Sequence, residues 1–453
     1  MKIILVGGGR MGQEIARRLA DEGHDITVVD NNAECLEEIS TGVDAMVLYG
    51  NGADYNVLTE AGVADADLLI AVTSDDSVNM LCCLTGKKLG VKNTVARVRT
   101  MEYFRQMVFL KDELGLSLVL NPEQAAAAEI SRILRFPSAA KVESFAKGRA
   151  EMVGFTLQEG NPLCGLRLSK LRDRYGSGIL VCAVEHCGNV IIPKGDYVLQ
   201  AGDIVNVVGA PAAMSAFFKA TGTYKRSVRD VMILGGSRIS LYLGSQLLDA
   251  GMRVKIIERS ESHCEIIKGI LPKAEVLLGD GTDPRLLEEE GIRTTDAFVA
   301  LTGSDQNNII TSMFAARSGV GKVITKVNDD CFRRMVDSHK LDSFVTPKNI
   351  AADGIVSYVR AMQNSIDASG IESLHEIAEG KAEVLEFFIR NDAERQGIPL
   401  KDLRMRRDTL LGAIIRGNEC IIPGGGDSIR RHDSVIAVTT KFGMQRFGDI
   451  FEE

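Results

Sequence analysis

The sequence predicts an α/β protein with two doubly wound parallel-sheet (Rossmann-type) domains, each followed by a bridging helix and a small α+β domain. Three observations predict this fold class. Short β-branched apolar runs alternate with amphipathic segments, which is typical of a parallel sheet with helices on both faces. A glycine-rich turn follows the first of these runs. The whole pattern begins again at an offset of 228 residues, from Gly7 to Gly235 (235 − 7).

The first domain alternates predicted strands and helices. The strands are Ile3–Val6, Asp25–Val29, Val47–Tyr49, Leu68–Val72 and Thr94–Val98. The helices are Gln13–Glu22, Asp54–Ala61, Ser77–Leu89 and a segment near Glu102–Leu114. Right-handed crossovers put the strand-to-helix loops at the carboxyl edge of such a sheet, which is where ligands bind in this class of fold.

A bridging helix is expected after Pro122, and Pro137 ends it near Phe136. Its apolar stripe includes Ala126 and Ile130, and two placements are open: against its own domain, or across to a neighbouring subunit. Beyond the helix, the short alternating runs MVGFTLQ, GILVCAVEH, NVIIP and IVNVVG are separated by Gly and Pro turns. Together with a helix at Leu166–Arg174, they predict a compact β-rich domain.

The second half of the chain repeats this order of elements. VLYGNGADYNVLTEAG (47–62) matches VLLGDGTDPRLLEEEG (276–291), and PEQAAAAEISRILR (122–135) matches PKNIAADGIVSYVR (347–360). NVIIPKGDYVLQAGDIVNVVG (189–209) resembles ECIIPGGGDSIRRHDSVIAVT (419–439). The chain is therefore one duplicated unit. Its predicted parts are 1–120, 121–137 and 138–222 (Rossmann domain, bridging helix, small domain), then 228–346, 347–366 and 367–453 in the same order.

Composition excludes several classes of protein. The chain has 453 residues, of which 45% are hydrophobic and 25% charged, and no apolar run is long enough to suggest a transmembrane helix. The net charge of −8 argues against nucleic acid or anionic lipid as the main partner. Nine scattered cysteines without a CxxC pair indicate neither a zinc site nor a disulfide framework, and favour a reduced cytoplasmic setting.

The glycine-rich turn has the spacing of a dinucleotide-binding loop. Gly7, Gly9 and Gly12 fit G-x-G-x-x-G between a strand and an amphipathic helix. Gly7 allows the tight turn, Gly9 lets the backbone approach a pyrophosphate, and Gly12 allows close helix packing. Asp30 ends the second strand, where its carboxylate can bind ribose hydroxyls and repel a 2′-phosphate. The pattern favours NAD(H) or an adenine nucleotide over NADP(H).

Arginine inside the loop is unusual if hydride transfer is the only task. The Arg10 guanidinium can reach a ligand phosphate, or a ligand bound by a neighbouring subunit, and Arg238 recurs at the matching position. The alternative is an arginine at the start of each helix that points into solvent.

Further candidate residues close the later strands of each unit. Asn51 follows the third strand and is replaced by Asp280, whereas Thr73 and Ser74 follow the fourth. One cation ends each fifth strand, namely Arg97 in the first unit and Lys326 in the second. Contacts with the ligand and roles as strand caps or surface charges are both open for these residues.

The second copy of the loop is altered. Gly235 and Gly236 remain, but Ser237 and Ser240 replace the second and third motif glycines. A Cβ at position 237 crowds the pyrophosphate, and one at position 240 pushes the helix away from the strand. Glu258 still offers a carboxylate to a ribose. The second site is thus expected to bind a nucleotide weakly or differently, or to bind nothing.

A catalytic set is missing from the predicted strand ends. The histidines are His24, His186, His263, His339, His375 and His432, and no correspondence between the units pairs any of them. None follows a strand where a general acid or base for hydride transfer is expected. His186 and Cys187 are adjacent in a strand and point to opposite faces, which disfavours a metal site. The sequence therefore favours a binding protein over an enzyme.

The chain closely resembles the TrkA family. The resemblance lies in two tandem Rossmann units, each followed by a bridging helix and a small domain, and in the motifs GGGRMG, GNG and VTSDD. The resemblance covers nearly the whole chain. It implies paired RCK (regulator of potassium conductance) domains that bind NAD(H) or ATP/ADP without turnover. It also implies a cytoplasmic tetrameric ring at the inner face of the membrane, beneath a TrkH- or KtrB-like potassium-translocating subunit.

The resemblance also implies which residues bind the nucleotide. In the first unit these are Gly7, Gly9, Arg10, Gly12, Asp30, Thr73 and Arg97, extended by their neighbours Gly8, Met11, Asn31, Asn51 and Ser74. In the second unit the candidates are Gly235, Gly236, Ser237, Arg238, Ile239, Glu258, Asp280, Thr302 and Lys326. Two alternatives are a nucleotide-sensing subunit of another ion transporter and an NAD-dependent oxidoreductase.

Overall fold

The computed structural model describes residues 1–135, 141–222, 228–329, 331–332, 341, 343–366, 371–378, 380–389, 395–444 and 446–452. The predicted end of the first bridging helix, at Phe136 and Pro137, lies outside these residues. So do the predicted starts of both small domains, at residues 138 and 367.

The first unit begins with a six-stranded parallel sheet in the order β3-β2-β1-β4-β5-β6. Its strands are β1 Lys2–Val6, β2 Asp25–Asp30, β3 Met46–Tyr49, β4 Leu68–Ala71, β5 Asn93–Arg97 and β6 Leu118–Leu120. Its helices are α1 Arg10–Asp21, α2 Ala33–Gly42, α3 Tyr55–Glu60, α4 Asp76–Leu89 and α5 Met101–Phe109. The strand order reverses between β1 and β4, as in a doubly wound fold, while all six strands stay parallel.

The chain then continues into the first bridging helix and an antiparallel domain. These contain α6 Pro122–Arg135, β7 Lys141–Phe145, β8 Ala150–Thr156, α7 Leu171–Tyr175, β9 Ile179–His186, β10 Asn189–Ile191, β11 Ile204–Gly209 and α8 Pro211–Ala220. The strand order is β10-β9-β11-β8-β7. A 3₁₀ turn at Leu168–Lys170 precedes α7, so the predicted helix at Leu166–Arg174 is a turn followed by a short helix.

The second unit repeats both sheets. Its parallel sheet contains β12 Asp230–Leu234, β13 Arg253–Glu258, β14 Glu275–Leu278, β15 Ala297–Ala300, β16 Lys322–Lys326 and β17 Phe344–Val345. Its helices are α9 Arg238–Asp249, α10 Glu261–Ile270, α11 Pro284–Glu289, α12 Asp305–Arg317 and the bridging helix α13 Pro347–Ile366. Its antiparallel sheet contains β18 Ile371–Ile377, β19 Ala382–Phe388, β20 Thr409–Arg416, β21 Glu419–Ile421 and β22 Ser434–Thr439.

The strand orders of the two units correspond element by element, so the duplication holds in three dimensions. The predicted fold class is therefore confirmed.

Each bridging helix crosses to the other unit of the same chain. The apolar stripe of α6, with Ala126 and Ile130, is buried in one cluster with Ile233 and Leu243 of the second unit. Conversely, α13 packs on α1 of the first unit. The residues that form this second contact are Ala352, Ile355, Val356 and Val359 against Ile3, Leu5, Ile15 and Leu19. The placement of α6 against its own domain is therefore wrong, since the stripe covers the other half of the chain.

The two antiparallel sheets also pack against each other. Phe145 and Cys182 of the first unit share a buried cluster with Val384 and Ile436 of the second. The two units therefore contact each other through their bridging helices and through their small domains. They pair within one chain in the way that two subunits pair in a dimer. In the part of the chain that the structure describes, no helix is both long and apolar enough to cross a bilayer.

Candidate functional site

A cavity of about 890 Å³ lies at the carboxyl edge of the first parallel sheet. It brings together most of the candidate residues of the first unit, although they come from the ends of five different strands. Those that line it are Gly7, Gly9, Arg10, Met11, Asp30, Asn31, Asn51, Thr73, Ser74 and Arg97. Gly8 and Gly12 belong to the same glycine loop but do not line the cavity.

The glycine loop fits tightly against the sheet on one side and is open on the other. Gly7 has φ +108°, and a Cβ there would lie 2.9 Å from the backbone nitrogen of Thr73. A Cβ on Gly12 would overlap the carbonyl oxygen of Gly7. A Cβ on Gly9, by contrast, would meet no atom within 4 Å. The backbone at Gly9 therefore faces free space, as close approach of a phosphate requires.

Asp30 is held in place by backbone hydrogen bonds. Its carboxylate accepts the N–H of Gly8 at 2.5 Å and the N–H of Asn32 at 2.8 Å. These bonds fix the glycine loop to the end of β2. Each carboxylate oxygen keeps further acceptor capacity, so the same group can also accept ribose hydroxyls.

Arg97 ends β5 and brings an unsatisfied cation to the cavity. Its Nε is buried without a hydrogen-bond partner, and Nη1 lies 3.8 Å from the sulfur of Met11. Burial is the main cause that lowers the pKa of Arg97, and the positive charges of Arg99 and Arg238 lower it further. No ion pair among the described residues involves Arg97. A guanidinium desolvated in this way is stabilised by an anion in the cavity.

Asn79 of α4, which was not among the residues predicted from the sequence, holds the ends of two strands together. Its side-chain oxygen accepts from the N–H and the hydroxyl of Thr73, at 2.8 and 2.7 Å. Its amide group donates to the carbonyl oxygens of Thr73 and Arg97. Asn308 makes the same contacts with Thr302 and Lys326 in the second unit. The shared T-x₅-N spacing in VTSDDSVN and LTGSDQNN is the signal that could have found both residues.

The second unit closes the cavity of the first. Asn328, Pro347 and Lys348 line it opposite the glycine loop. On the near side, Glu123 at the start of α6 binds Arg99 Nε at 2.6 Å, and its other carboxylate oxygen is buried without a partner. The site is thus composite within one chain, which the residues of the first unit alone could not reveal.

In the second unit, hydroxyl groups occupy the glycine loop. Ser237 Oγ lies 3.0 Å from Ser240 Oγ, which donates to the carbonyl oxygen of Gly235 at 2.5 Å. The Ser240 side chain thus makes a hydrogen bond to the loop at the position where the first unit has Gly12. Glu258 accepts the N–H groups of Gly236 and Ser260, at 2.6 and 2.9 Å, just as Asp30 does in the first unit.

The remaining candidates of the second unit differ in their surroundings. Lys326 is only 9% exposed, and burial is the main cause that lowers its pKa. Ile239 belongs to the apolar core beneath α9. Asp280 accepts the N–H and the hydroxyl of Thr282, which is a turn-capping role. Asn51 caps the equivalent turn through the N–H of Ala53 at 3.0 Å, but it also lines the first cavity.

His186 ends β9, whereas Cys187 lies in the turn after it with φ +50°, so the expectation that both residues lie in one strand is wrong. His186 Nδ1 lies 2.6 Å from the buried carboxylate of Asp203, which also accepts the Tyr197 hydroxyl. Within the described ranges, no group of three or more His, Cys, Asp or Glu side chains is arranged to hold a metal ion.

Comparisons with known proteins match both halves of the chain. The TrkA-N domain model matches residues 3–122 and 231–347, and the TrkA-C domain model matches residues 152–222. The Trk system potassium uptake protein TrkA of Halomonas elongata is 34% identical over 442 residues, covering 96% of this chain and 95% of that protein. The TrkA homolog of Archaeoglobus fulgidus is 32% identical over 452 residues and covers both chains fully.

Among solved structures, the GsuK channel bound to NAD has a similar fold. The TM-score is 0.64 at 19% sequence identity, and the match covers 97% of this chain and 77% of that one.

Proposed function

The chain belongs to the TrkA family, and on that premise we propose that it is a nucleotide-binding regulatory subunit of a potassium transport system. The observation that carries the proposal is the cavity at the carboxyl edge of the first sheet. It combines an open glycine loop, the fixed carboxylate of Asp30 and the guanidinium of Arg97, whose Nε is buried without a hydrogen-bond partner.

The residues present fit an adenine nucleotide or NAD(H). The start of α1 offers free N–H groups and the positive end of a helix to phosphates. Asp30 accepts hydroxyls of an unmodified ribose and disfavours a 2′-phosphate. Arg97 places a desolvated cation in the same cavity. The solved structure of GsuK with NAD supports this ligand class.

The two sites of the chain are unequal in this proposal. In the second unit, the Ser237 hydroxyl accepts the N–H of Ser240, a donor that a phosphate would otherwise meet. The second site therefore binds nucleotide more weakly than the first, or does not bind it.

The regulatory role follows from the crossing of the bridging helices. A ligand changes a conformational equilibrium only through its different affinities for the two states. Because the cavity is closed by residues of both units, a bound nucleotide has a different affinity for each angle between them. We further propose that the chain assembles as a tetrameric ring at the cytoplasmic face of the membrane. There it would transmit this change to a TrkH- or KtrB-like subunit. In this proposal the ring is built from the six predicted domains of each chain.

Calorimetric titration of the full-length protein with NADH, NAD⁺, ATP and ADP tests the proposal. Asp30→Ala should weaken binding roughly 10- to 100-fold, because a charged acceptor of hydrogen bonds is lost. Glu258→Ala should have a smaller effect. Unchanged binding in Asp30→Ala would show that the pocket is wrongly assigned.

The less favoured of the two alternative functions is that of an oxidoreductase. Oxidation of NADH in the presence of a panel of carbonyl compounds should not be detectable. Turnover with any of them would favour an enzyme. Co-purification with a membrane protein other than a potassium transporter would favour the other alternative, a nucleotide-sensing subunit of another ion transporter.

A further inference from the structure

Strand β3, with helices α2 and α3 on its two faces, forms an open edge of the first parallel sheet (residues 33–60, the β3 edge). The strand pairs with β2 on one side, and within the described residues no strand pairs with its other side. Such an edge is a template for a further strand, and proteins usually protect it with charged residues or proline. The sequence of β3 is MVLY, which has neither.

Large apolar side chains are exposed along the β3 edge. Met46 is 68% exposed and Tyr49 67%, and Tyr55, the first residue of α3, is 58% exposed. The two helices do not cover these side chains. Helix α2 packs on one face of the sheet through Leu36, and α3 packs on the other face through Leu58. Exposed apolar side chains that gather at one place on a surface are typical of a contact with another protein.

The same surface carries negative charge only. Residues 31–65 contain seven Asp and Glu residues and no Lys, Arg or His. All seven are exposed, and among the described residues none of them forms an ion pair. The matching range of the second unit, residues 259–294, contains eight Asp and Glu residues together with five Lys and Arg residues. The absence of cations is therefore a property of the first unit and not of the fold.

The β3 edge leads directly to the nucleotide cavity. Strand β3 ends at Tyr49, and residues 50–52, which follow it, line the cavity. Helix α2 begins after its N-cap Asn32, which lines the cavity as well. A partner at the β3 edge would therefore contact two elements whose ends form the wall of the nucleotide site.

We propose that the β3 edge binds a Lys- and Arg-rich cytoplasmic segment of the membrane protein that the chain regulates. This assignment rests on the proposed function and names the surface of contact. Cytoplasmic loops of membrane proteins carry an excess of Lys and Arg, which complements a surface that carries carboxylates alone. The segment adds to β3 as an extended strand, and its apolar side chains contact Met46 and Tyr49. Its cations approach Glu37, Asp44 and Glu60.

Two other occupants complement the β3 edge less well. The corresponding edge of a second copy, around β14, has more carboxylates than cations, so the two edges repel each other. Anionic lipid headgroups are repelled by the seven carboxylates in the same way. A basic protein segment has the opposite sign of charge and also brings backbone groups that can pair with β3.

Calorimetric titration of the full-length protein with the blocked peptide Lys-Ile-Lys-Val-Lys-Ile-Lys tests the assignment. The peptide alternates cations with β-branched residues, which favour an extended strand. Its affinity should fall between about 50 and 300 mM salt, because exposed charges are screened. Glu37→Gln combined with Asp44→Asn should lower the affinity about tenfold, and Met46→Thr combined with Tyr49→Thr at least tenfold. Threonine keeps the preference for a strand at both positions.

The controls separate this surface from general attraction between opposite charges. Leu278→Thr should leave the affinity for the peptide unchanged, because Leu278 is the counterpart of Tyr49 and is 56% exposed on β14. The same peptide with glutamate in place of lysine should not bind. Glu37→Gln with Asp44→Asn should bind nucleotide as wild type does, since neither residue lines the cavity.

Equal affinity of the wild type and the two double variants for the peptide would overturn the assignment. A change in oligomeric state of Met46→Thr with Tyr49→Thr, measured by sedimentation, would also overturn it, because the β3 edge would then be a contact between copies. Binding of the wild type to phosphatidylglycerol vesicles that this variant loses would make the surface a lipid contact instead.

The titrations also distinguish this assignment from the proposed function. If the wild type binds nucleotide but not the peptide, the proposed function stands and the role of the β3 edge is refuted. If the wild type binds the peptide as described but none of NADH, NAD⁺, ATP and ADP, the β3 edge stands and the nucleotide site is refuted.

Discussion

The side-chain amide of Asn121 donates a hydrogen bond to the Tyr242 hydroxyl at 2.8 Å, across the boundary between the two units. Asn121 immediately precedes α6, and its side-chain oxygen accepts the N–H of Gln124 in the first turn of that helix. Tyr242 lies in α9, directly beyond the altered loop of the second unit. The bond therefore joins the start of one bridging helix to the helix on which it packs.

Removal of this bond should destabilise the contact between the units. In Tyr242→Phe the Asn121 amide loses a buried partner, and the free energy of unfolding should fall by about 1–2 kcal/mol. Chemical denaturation followed by circular dichroism measures this change. Tyr103→Phe is the matched control, since that side chain is 45% exposed. Equal stability of the two variants would show that the bond contributes nothing.

The parallel sheet made most of the first site predictable. Strand ends of a doubly wound sheet meet at one edge, so Gly7, Asp30, Thr73 and Arg97 could be expected together before their distances were known. Helix α2 could not be predicted in this way, because only Leu36 and Ile39 of its ten residues are buried and its apolar pattern is weak.

The contribution of the second unit could not be predicted in the same way. An apolar stripe shows that one face of a helix is covered, but it does not identify the covering element. The crossing of α6 and α13 therefore had to be observed. Lys348 and Asn328 reach the first cavity only because of that crossing, and nothing in their own sequence surroundings relates them to the glycine loop.

The stability of the protein should depend on pH through His24. This side chain is 5% exposed, neither ring nitrogen has a hydrogen-bond partner, and Nε2 lies 3.8 Å from the carboxylate of Glu22. Burial is the main cause that lowers the pKa of His24 to about 4, and the charges of the N-terminus and Arg360 act in the same direction. A depressed histidine pKa means that the unfolded chain takes up the proton first as the pH falls.

The free energy of unfolding should therefore decrease as the pH falls from about 6.5 to about 4, by up to ~3 kcal/mol. Urea denaturation at several pH values measures this slope. His24→Leu should remove most of it, whereas His263→Gln should not, because His263 is exposed on α10. An identical slope in wild type and His24→Leu would assign the effect to other groups.

The serine that replaces the second motif glycine in the second unit suggests a variant of the first unit. This variant, Gly9→Ser, should change nucleotide binding without reducing the stability of the fold. Gly9 caps α1 with φ −66°, a conformation that any residue adopts, and its Cβ position is free. Ser237 caps α9 from the matching position by accepting the N–H of Ser240. Since serine is a better N-cap than glycine, Gly9→Ser should preserve or slightly raise the unfolding temperature.

The same substitution should lower nucleotide affinity at least tenfold, because its side chain enters the space where phosphates approach the backbone. Thermal unfolding and calorimetric titration of one sample measure both quantities. The reverse change, Ser237→Gly, serves as the control and should cost a few tenths of a kcal/mol. Undiminished binding by Gly9→Ser would place the phosphates elsewhere.

Asn79 should be indispensable for the geometry of the first site, although it does not line the cavity. Its amide connects Thr73 at the end of β4 to Arg97 at the end of β5, and it is fully buried. Asn79→Ala leaves several buried polar groups unpaired and should cost about 2–4 kcal/mol of stability. Asn79→Asp retains the acceptor for Thr73 but loses the donor to Arg97. If the strand ends must be held together, this variant should bind nucleotide more weakly than wild type even at temperatures where it is fully folded.

Asn308→Ala provides the matched comparison, because it removes the same network from the second unit. It should destabilise the protein to a similar extent and leave the affinity of the first site nearly unchanged.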